Sequence, residues 1–445
     1  MSAPNTRTLA RVALALVAIG GVISTLVWAG PLDPPSGAVS STYKTLTEVE
    51  PRVAISSTNT PGDADSLYKI TQPGSYYLTG NITAVLGRHG IEIAASGVTI
   101  DLSGFDLVGS TAFPDYAGIR TAAPSLRNIT IRNGSVRNWG GEGVDLASNL
   151  AWNCSIEGVR ASNNAGTGID AGAACTLTDC SGVQNAGFGI DTRGGSTLVN
   201  CSAYENGYGG IRTALAGTLM NCSAWNNSVA GFLIDDGSTA SNCSATSNDG
   251  VGFYVGRSST LANCSASTNA GTGFDLEFGC TLSGCSACDN SQSGVDADGG
   301  CNVSNCVVQG NDAIGLVVTS YSVVTDCTVQ YNYSDGILCL SYCVIRGNAC
   351  STNSFGGDGA GIHTTGTDNR IESNNCINAD RGIDVDTAGN VIIKNTCSGN
   401  TVNWDIVAGN ALAPIVSAST NAVPVSGNTY AGTLGSTDPN ANFTY

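Results

Sequence analysis

Cysteine returns at a fixed step: Cys180, Cys201, Cys222, Cys243, Cys264, Cys285, Cys306 and Cys327 are each 21 residues apart. Asparagine keeps the same step from Asn164 through Asn185, Asn206 and onward to Asn353, and glycine from Gly168 through Gly189 and onward to Gly336. Each of these glycines precedes an apolar residue. One unit reads approximately S-T-L-x-N-C-S-A-x-x-N-x-x-x-G-[IF]-x-x-x-x-G. A coiled coil needs apolar residues every ~3.5 positions, which this pattern lacks. A leucine-rich repeat needs a Leu framework, and a propeller blade needs about twice the length. The fold that remains is all-β: a parallel β-helix, a single-stranded solenoid of roughly 14 to 16 coils. Each coil has three short strands, at S-T-L, C-S-A and G-[IF]-x-x, pairing with the next coil ~4.8 Å away.

The columns then acquire physical meanings. Cys and the following Ala flank an outward Ser, so both face inward. Stacked Asn side chains can bond through their amides and satisfy one another in the interior. Glycine is expected to permit a tight corner. Twelve of the 18 Cys are placed on the inward column: the eight above with Cys154, Cys350, Cys376 and Cys397. Stacked Cβ atoms ~4.8 Å apart sit too far for good disulfide geometry, so most thiols are expected free, as small apolar fillers. The best disulfide candidates are Cys280 with Cys301 and Cys339 with Cys343. Cys285 and Cys288 form a CxxC, but no second pair completes a zinc site.

The ends differ from the repeat. Residues 1–29 read as a secretory signal, with Arg7 and Arg11 before an apolar run and Val27-Trp28-Ala29 at its close; an uncleaved anchor is the alternative. Residues 30–65 form a linker and N-terminal segment. Residues 66–410 form the β-helix, opened by two strands around a Pro-Gly turn at 66–85 that cap the first coil. Residues 411–445 lose the repeat and cap the other end, since an open coil edge is an aggregation template. The expected location is secreted, cell-surface or periplasmic. A net charge of −17 with only 18 Lys and Arg excludes a nucleic-acid stripe, and no segment beyond the signal is expected to meet a membrane.

Function must then lie on outward columns. After each Gly-[IF] pair the next residue points out, as does the third. The first outward column runs Asp170, Asp191, Arg212, Leu233, Tyr254, Asp275, Asp296, Val317, Leu338; the second includes Arg193, Asp235, Glu277 and Asp298. Asp275, Glu277, Asp296 and Asp298 form a rectangle in which like charges repel, so calcium is a natural counter-ion. Its spacing also falls near that of glycoside-hydrolysing carboxylate pairs. A plain solvated acidic face fits as well. Asp170, Asp191, Arg193, Arg212 and Asp235 alternate acid and base, which suits elimination chemistry or a ladder of surface ion pairs. Candidate catalytic residues are therefore Asp275, Asp296, Arg193 and Arg212; candidate metal ligands are Asp275, Glu277, Asp296 and Asp298. Tyr204 and Trp225, on successive coils of another face, are candidates for binding sugar rings together with Tyr254. Asp384-Val385-Asp386, beside an insert holding His363, suggests that outward acidic pairs are generic.

The G-[IF] and N-C-S coils resemble the right-handed parallel β-helix superfamily of pectate lyases, polygalacturonases and NosD-type modules, over about residues 76–410. That resemblance supplies the handedness. Gly74-Ser75-Tyr76-Tyr77-Leu78, Gly97-Val98-Thr99-Ile100-Asp101-Leu102 and Asn440-Ala441-Asn442-Phe443 are similar to exported β-helix proteins of planctomycete-type bacteria. Of the polygalacturonase motifs only the paired Asp has a counterpart, in Asp235-Asp236, and the two histidines stand in other company. The resemblance, with these columns, points to a protein that binds or processes extracellular polysaccharide, with calcium as the candidate cofactor at the Asp275–Asp298 rectangle and a polysaccharide or cell-surface glycan as partner; if an enzyme, it is a lyase or hydrolase. A non-catalytic surface, adhesion or envelope protein is the alternative.

Overall fold

The computed structural model describes residues 50–445 apart from 113–114, 355–356, 419–423 and 428–435. The signal segment and most of the linker lie outside the described residues. From Arg52 onward the chain is one compact unit, and its described residues contain strands and no helix. It winds through about 17 turns of about 21 residues, slightly more than expected, because the first turns carry neither the Cys nor the Asn column.

One regular coil shows the plan: strands Thr197–Val199, Ser202–Tyr204 and Gly209–Thr213. Each pairs in parallel with its equivalent one coil on. The Gly-Ile strands form a 16-stranded sheet from Ser66–Ile70 to Val402–Ile406. The other two ladders merge into a 32-stranded sheet, because Thr130–Arg137 and Ser155–Ser162 run unbroken through the corner between them. The core is a stack of Leu, Ile, Val, Ala and Cys with almost no exposure. Phe232, Phe253 and Phe274 stack inside it at 4.6 and 5.0 Å between centroids.

The Asn column behaves as expected. From Asn164 to Asn353 each side-chain amide donates to the carbonyl oxygen of the next Asn at 2.9–3.1 Å. The same oxygen also accepts a backbone N–H, as Asn227 Oδ1 does from Asn206 at 3.1 Å. No buried amide in the run is left unpaired. A second ladder, Asn348–Asn374–Asn395–Asn442, repeats the device at 3.0–3.3 Å.

The glycine column has a different reason from the one expected. Gly189 and Gly315 do lie at bends just before their strands, but neither has a positive φ. A Cβ on Gly189 would lie 2.6 Å from Asn206 Nδ2 and 2.9 Å from the Gly210 carbonyl oxygen. Glycine is needed because the Asn ladder and the neighbouring strand crowd it. The corners are made by single residues of positive φ, three per coil: Asn200 at 54°, Glu205 at 51° and Ala216 at 58°.

Register also corrects the Cys assignment. Val329 pairs with Cys350, Cys350 with Cys376, and Cys376 with Cys397. These three Cys therefore continue the Ala203–Ala287 column, while Asn348 follows Cys327. Cys154 stacks on Cys175, since Ser155 pairs with Thr176. All four are still buried: for Cys350, Cys376 and Cys397 a slip of two residues keeps the side chain on the same face, and Cys154 faces in beside Cys175 on the neighbouring ladder. All 18 Cys are free thiols; neither candidate disulfide forms.

The ends also differ in detail. Ser66–Ile70 and Gly74–Tyr77 are not a hairpin cap but parts of a coil, pairing in parallel with His89–Ile93 and Val98–Asp101. At the far end the last strand, Asn442–Thr444, pairs with both Thr396–Ser398 and Ile415–Ser417, so this strand pairs along the last edge of the 32-stranded sheet.

Candidate functional site

The outward face of the Gly-Ile sheet gathers the charged columns. Register places Asp170 beside Asp191, Asp191 beside Arg212, Asp275 beside Asp296, and His363 beside Asp384. Apolar rungs at Leu233, Val317 and Leu338 divide the column into three clusters.

In the first, Arg212 grips Asp191 with Nε at 2.7 Å and Nη2 on the other oxygen, and its guanidinium lies 4.8 Å from the Phe188 ring centroid. That pairing leaves Asp191 3% exposed. Arg193 is looser: it is half-exposed, and Nη2 stands 3.9 Å from Asp170 Oδ2. Asp170 Oδ1 is buried without a hydrogen-bond partner. Burial, then the charge of Asp191, pushes the Asp170 carboxyl up to about 7 despite Arg193. Burial likewise raises Asp235. The two candidate arginines thus separate: Arg212 is a fixed ion-pair partner, and Arg193 is available to a ligand.

The second cluster holds the rectangle. Asp275 is pushed up to about 6, first by burial and then by Asp296, Asp298 and Glu277. Burial raises Asp296 too. Glu277 is already engaged on both oxygens, by the Tyr254 hydroxyl and by Arg257 Nε at 3.1 Å. The Tyr254 phenol is held up to about 12 by that bond. Tyr254 is therefore tied to Glu277 rather than presented as a free platform, and a calcium ion would have to displace these partners.

The third cluster was read from the sequence only as a generic acidic pair beside an insert. His363 Nδ1 donates to Asp335 Oδ2 at 3.0 Å, and Asp335 Oδ1 accepts the Ala360 N–H at 2.6 Å. On the other side His363 Nε2 lies 3.1 Å from Asp386 Oδ2 and 4.0 Å from Asp384 Oδ2. The bond to Asp335 raises the imidazole to about 9. Arg381 Nε stands 3.1 Å from Asp405 and 3.5 Å from Asp384. The signal was present: Gly361-Ile362 continues the Gly-[IF] column, which puts His363 after Leu338 on the outward column. The step to it is 25 residues instead of 21, so strict periodicity hid it.

Tyr204 and Trp225 do stack, at 4.4 Å between centroids and 5° between planes. Their faces cover each other along the axis, flanked by Val183 and Thr246. Trp225 keeps 48% of its surface exposed.

A search of the curated proteins found no match. Among solved structures, the chain is similar to the A-module of Azotobacter vinelandii mannuronan C-5 epimerase AlgE4, at 16% identity over 72% of this chain and 91% of that one, with TM-score 0.43. It is also similar to pectate lyase Pel9A, at 15% identity over 75% and 72% with TM-score 0.33. The periplasmic alginate epimerase AlgG follows at 10% identity over 74% and 82%, with TM-score 0.34. The sequence model described as "Right handed beta helix region" matches residues 117–269, 239–323 and 273–430. Those matches span well over half of the chain, and with the parallel three-strand coils they establish that this protein belongs to the right-handed β-helix family.

Proposed function

We propose that the protein acts outside the cytoplasm on polysaccharide laid along the outward face of the Gly-Ile sheet. The observation that supports this reading is the Asp170–Arg193 pair. A carboxyl near pKa 7 with an unpartnered oxygen is divided between its two forms at neutral pH, so it can donate or accept a proton. The half-exposed guanidinium beside it offers a positive contact to a sugar oxygen or carboxylate. Arg212 and Asp191 hold the floor of this site. Asp275 and Asp296 offer a second raised carboxyl pair five to six coils beyond Asp170, ~24–29 Å away, within reach of the same chain. Calcium between Asp275 and Asp296 belongs to this reading as an aid to binding.

Oligosaccharide mass spectrometry after incubation with acidic and neutral polysaccharides, with and without calcium, tests it. Unsaturated products indicate a lyase, and Asp170→Asn and Arg193→Ala should each lower the yield at least tenfold. Products with water added indicate a hydrolase and make Asp275→Asn and Asp296→Asn the decisive variants. Turnover indifferent to all four substitutions would remove the site. No product and no binding to any polymer by a folded chain would leave the alternative, an envelope or surface protein whose outward acids are only solvated decoration.

A further inference from the structure

We infer that His363, Asp384 and Asp386 form a binding site for a divalent transition-metal ion, with zinc as its simplest occupant. The three ligand atoms lie within 4.8 Å of one another, and among the described residues this is where such groups converge. Tetrahedral zinc with bonds of ~2.0–2.1 Å sets its donors about 3.3 Å apart. His363 Nε2 and Asp386 Oδ2 are already 3.1 Å apart, Asp384 Oδ2 is 4.0 Å from Nε2, and the widest pair, within 4.8 Å, would close by up to ~1.5 Å on binding.

Two features separate this place from an acidic patch. The first is Asp384. Its side chain is largely buried, at 12% exposure, and its carboxylate meets only two long ion pairs, Arg381 Nε at 3.5 Å and His363 Nε2 at 4.0 Å. A carboxylate held this loosely and aimed at an imidazole nitrogen leaves room for a cation between them. The second is the orientation of the ring. Asp335 takes the Nδ1 proton and is itself fixed by the Ala360 N–H. This carboxylate–histidine arrangement is how proteins commonly present Nε2 to a metal. His363 and Asp384 are directly paired on adjacent strands, so backbone hydrogen bonds set their separation. Asp386, two residues on, faces the same way and is half-exposed, leaving an approach and a position for water. The cation would replace the proton that Nε2 shares with Asp386, while Arg381 keeps Asp358 and Asp405.

The donor set favours zinc or a neighbouring transition metal over calcium. One ligand is imidazole nitrogen and only two are carboxylates, whereas calcium takes six to eight oxygens.

The test is zinc titration of the chelator-stripped, full-length protein by calorimetry, with elemental analysis after dialysis and thermal melting with and without zinc. The expected result is one zinc per chain and a higher melting temperature. Asp384→Asn and Asp386→Asn should each weaken binding at least tenfold and abolish the thermal shift, with unchanged circular dichroism. Asp335→Asn, at the positioning residue, should weaken it ten- to a hundredfold. No retained zinc would overturn the assignment. So would zinc held equally well by both carboxamide variants, which would place it on the thiols. Calcium bound as tightly as zinc and lost in the same variants would overturn the transition-metal assignment.

Discussion

The regular coils between Cys180 and Cys327 and the irregular coils around His363 use the same backbone to different ends. In the regular stretch every column position recurs, so each Asn finds another Asn one coil on, and every corner falls on the same residue. Charges there stack in register but seldom converge. Around His363 the step lengthens, from 21 residues to 25 between the Ile337 and Ile362 strands. The added residues fall mainly between Asn353 and Ala360, and they carry Asp358. Here the ladder also fails: Ala379 stands where the next Asn belongs, and its N–H reaches Asn400 Oδ1 directly at 2.8 Å. A cleft of about 380 Å³ opens at that gap, lined by Asn353, Ser354, Ala379 and Asp380. The comparison teaches that the repeat maintains the scaffold and that its interruption lets unlike side chains meet.

The strongest way to break that comparison is to interrupt the ladder where it is complete. Asn248→Ala would strip the partner from the Asn227 amide and backbone N–H, which now donate to Asn248 Oδ1 at 3.0 Å each. Two buried donors left unpaired should cost about 3 kcal/mol, read from denaturant unfolding; a loss below about 1 kcal/mol would show that the ladder is decoration. Next comes charge stacked where the regular part begins. The Asp170 carboxyl stands near 7 in the folded chain against an ordinary 3.8. The folded state therefore holds this proton more tightly than the unfolded one. The resulting stabilisation is complete below pH ~4 and is lost as pH rises through ~7. Asp170→Asn should match the parent near pH 4 and exceed it by a few kcal/mol at pH 8.5; equal melting curves at both pH values would contradict the buried, unpartnered carboxyl. The smallest effect sharpens the contrast from the other side. Ala379→Asn restores the missing rung beside Asn353, and its amide should add about 1 kcal/mol of stability. A destabilised variant would mean that the gap is shaped for something other than the ladder.

Much of the scaffold was legible in the chain itself. The Asn ladder, the inward Cys and Ala, the strand positions and the outward columns from Asp170 to Leu338 all follow from period and alternation. The roles of Gly189 and its equivalents were not legible. A glycine that avoids a Cβ clash and one that turns a corner look identical in sequence, and only the distances to Asn206 and Gly210 separate them. Part of the site was visible too: Asp170, Arg193, Arg212 and the Asp275–Asp298 rectangle were marked as outward. What they do to one another was not, because burial and pairing decide it. Arg212 closes on Asp191 while Arg193 stays open, although both arginines follow the same motif.

The sequence by itself determined the period, the three-strand coil and which side chains face in, because these depend on local alternation and on the recurrence of like residues. Only the tertiary structure decided which Cys stacks on which, and that Asp335, His363, Asp384 and Asp386 come together. The reason is physical. Across an insertion a slip of two residues leaves every side chain on its proper face, so alternation cannot fix the register. Interstrand hydrogen bonds fix it, and they exist only once the coils have stacked.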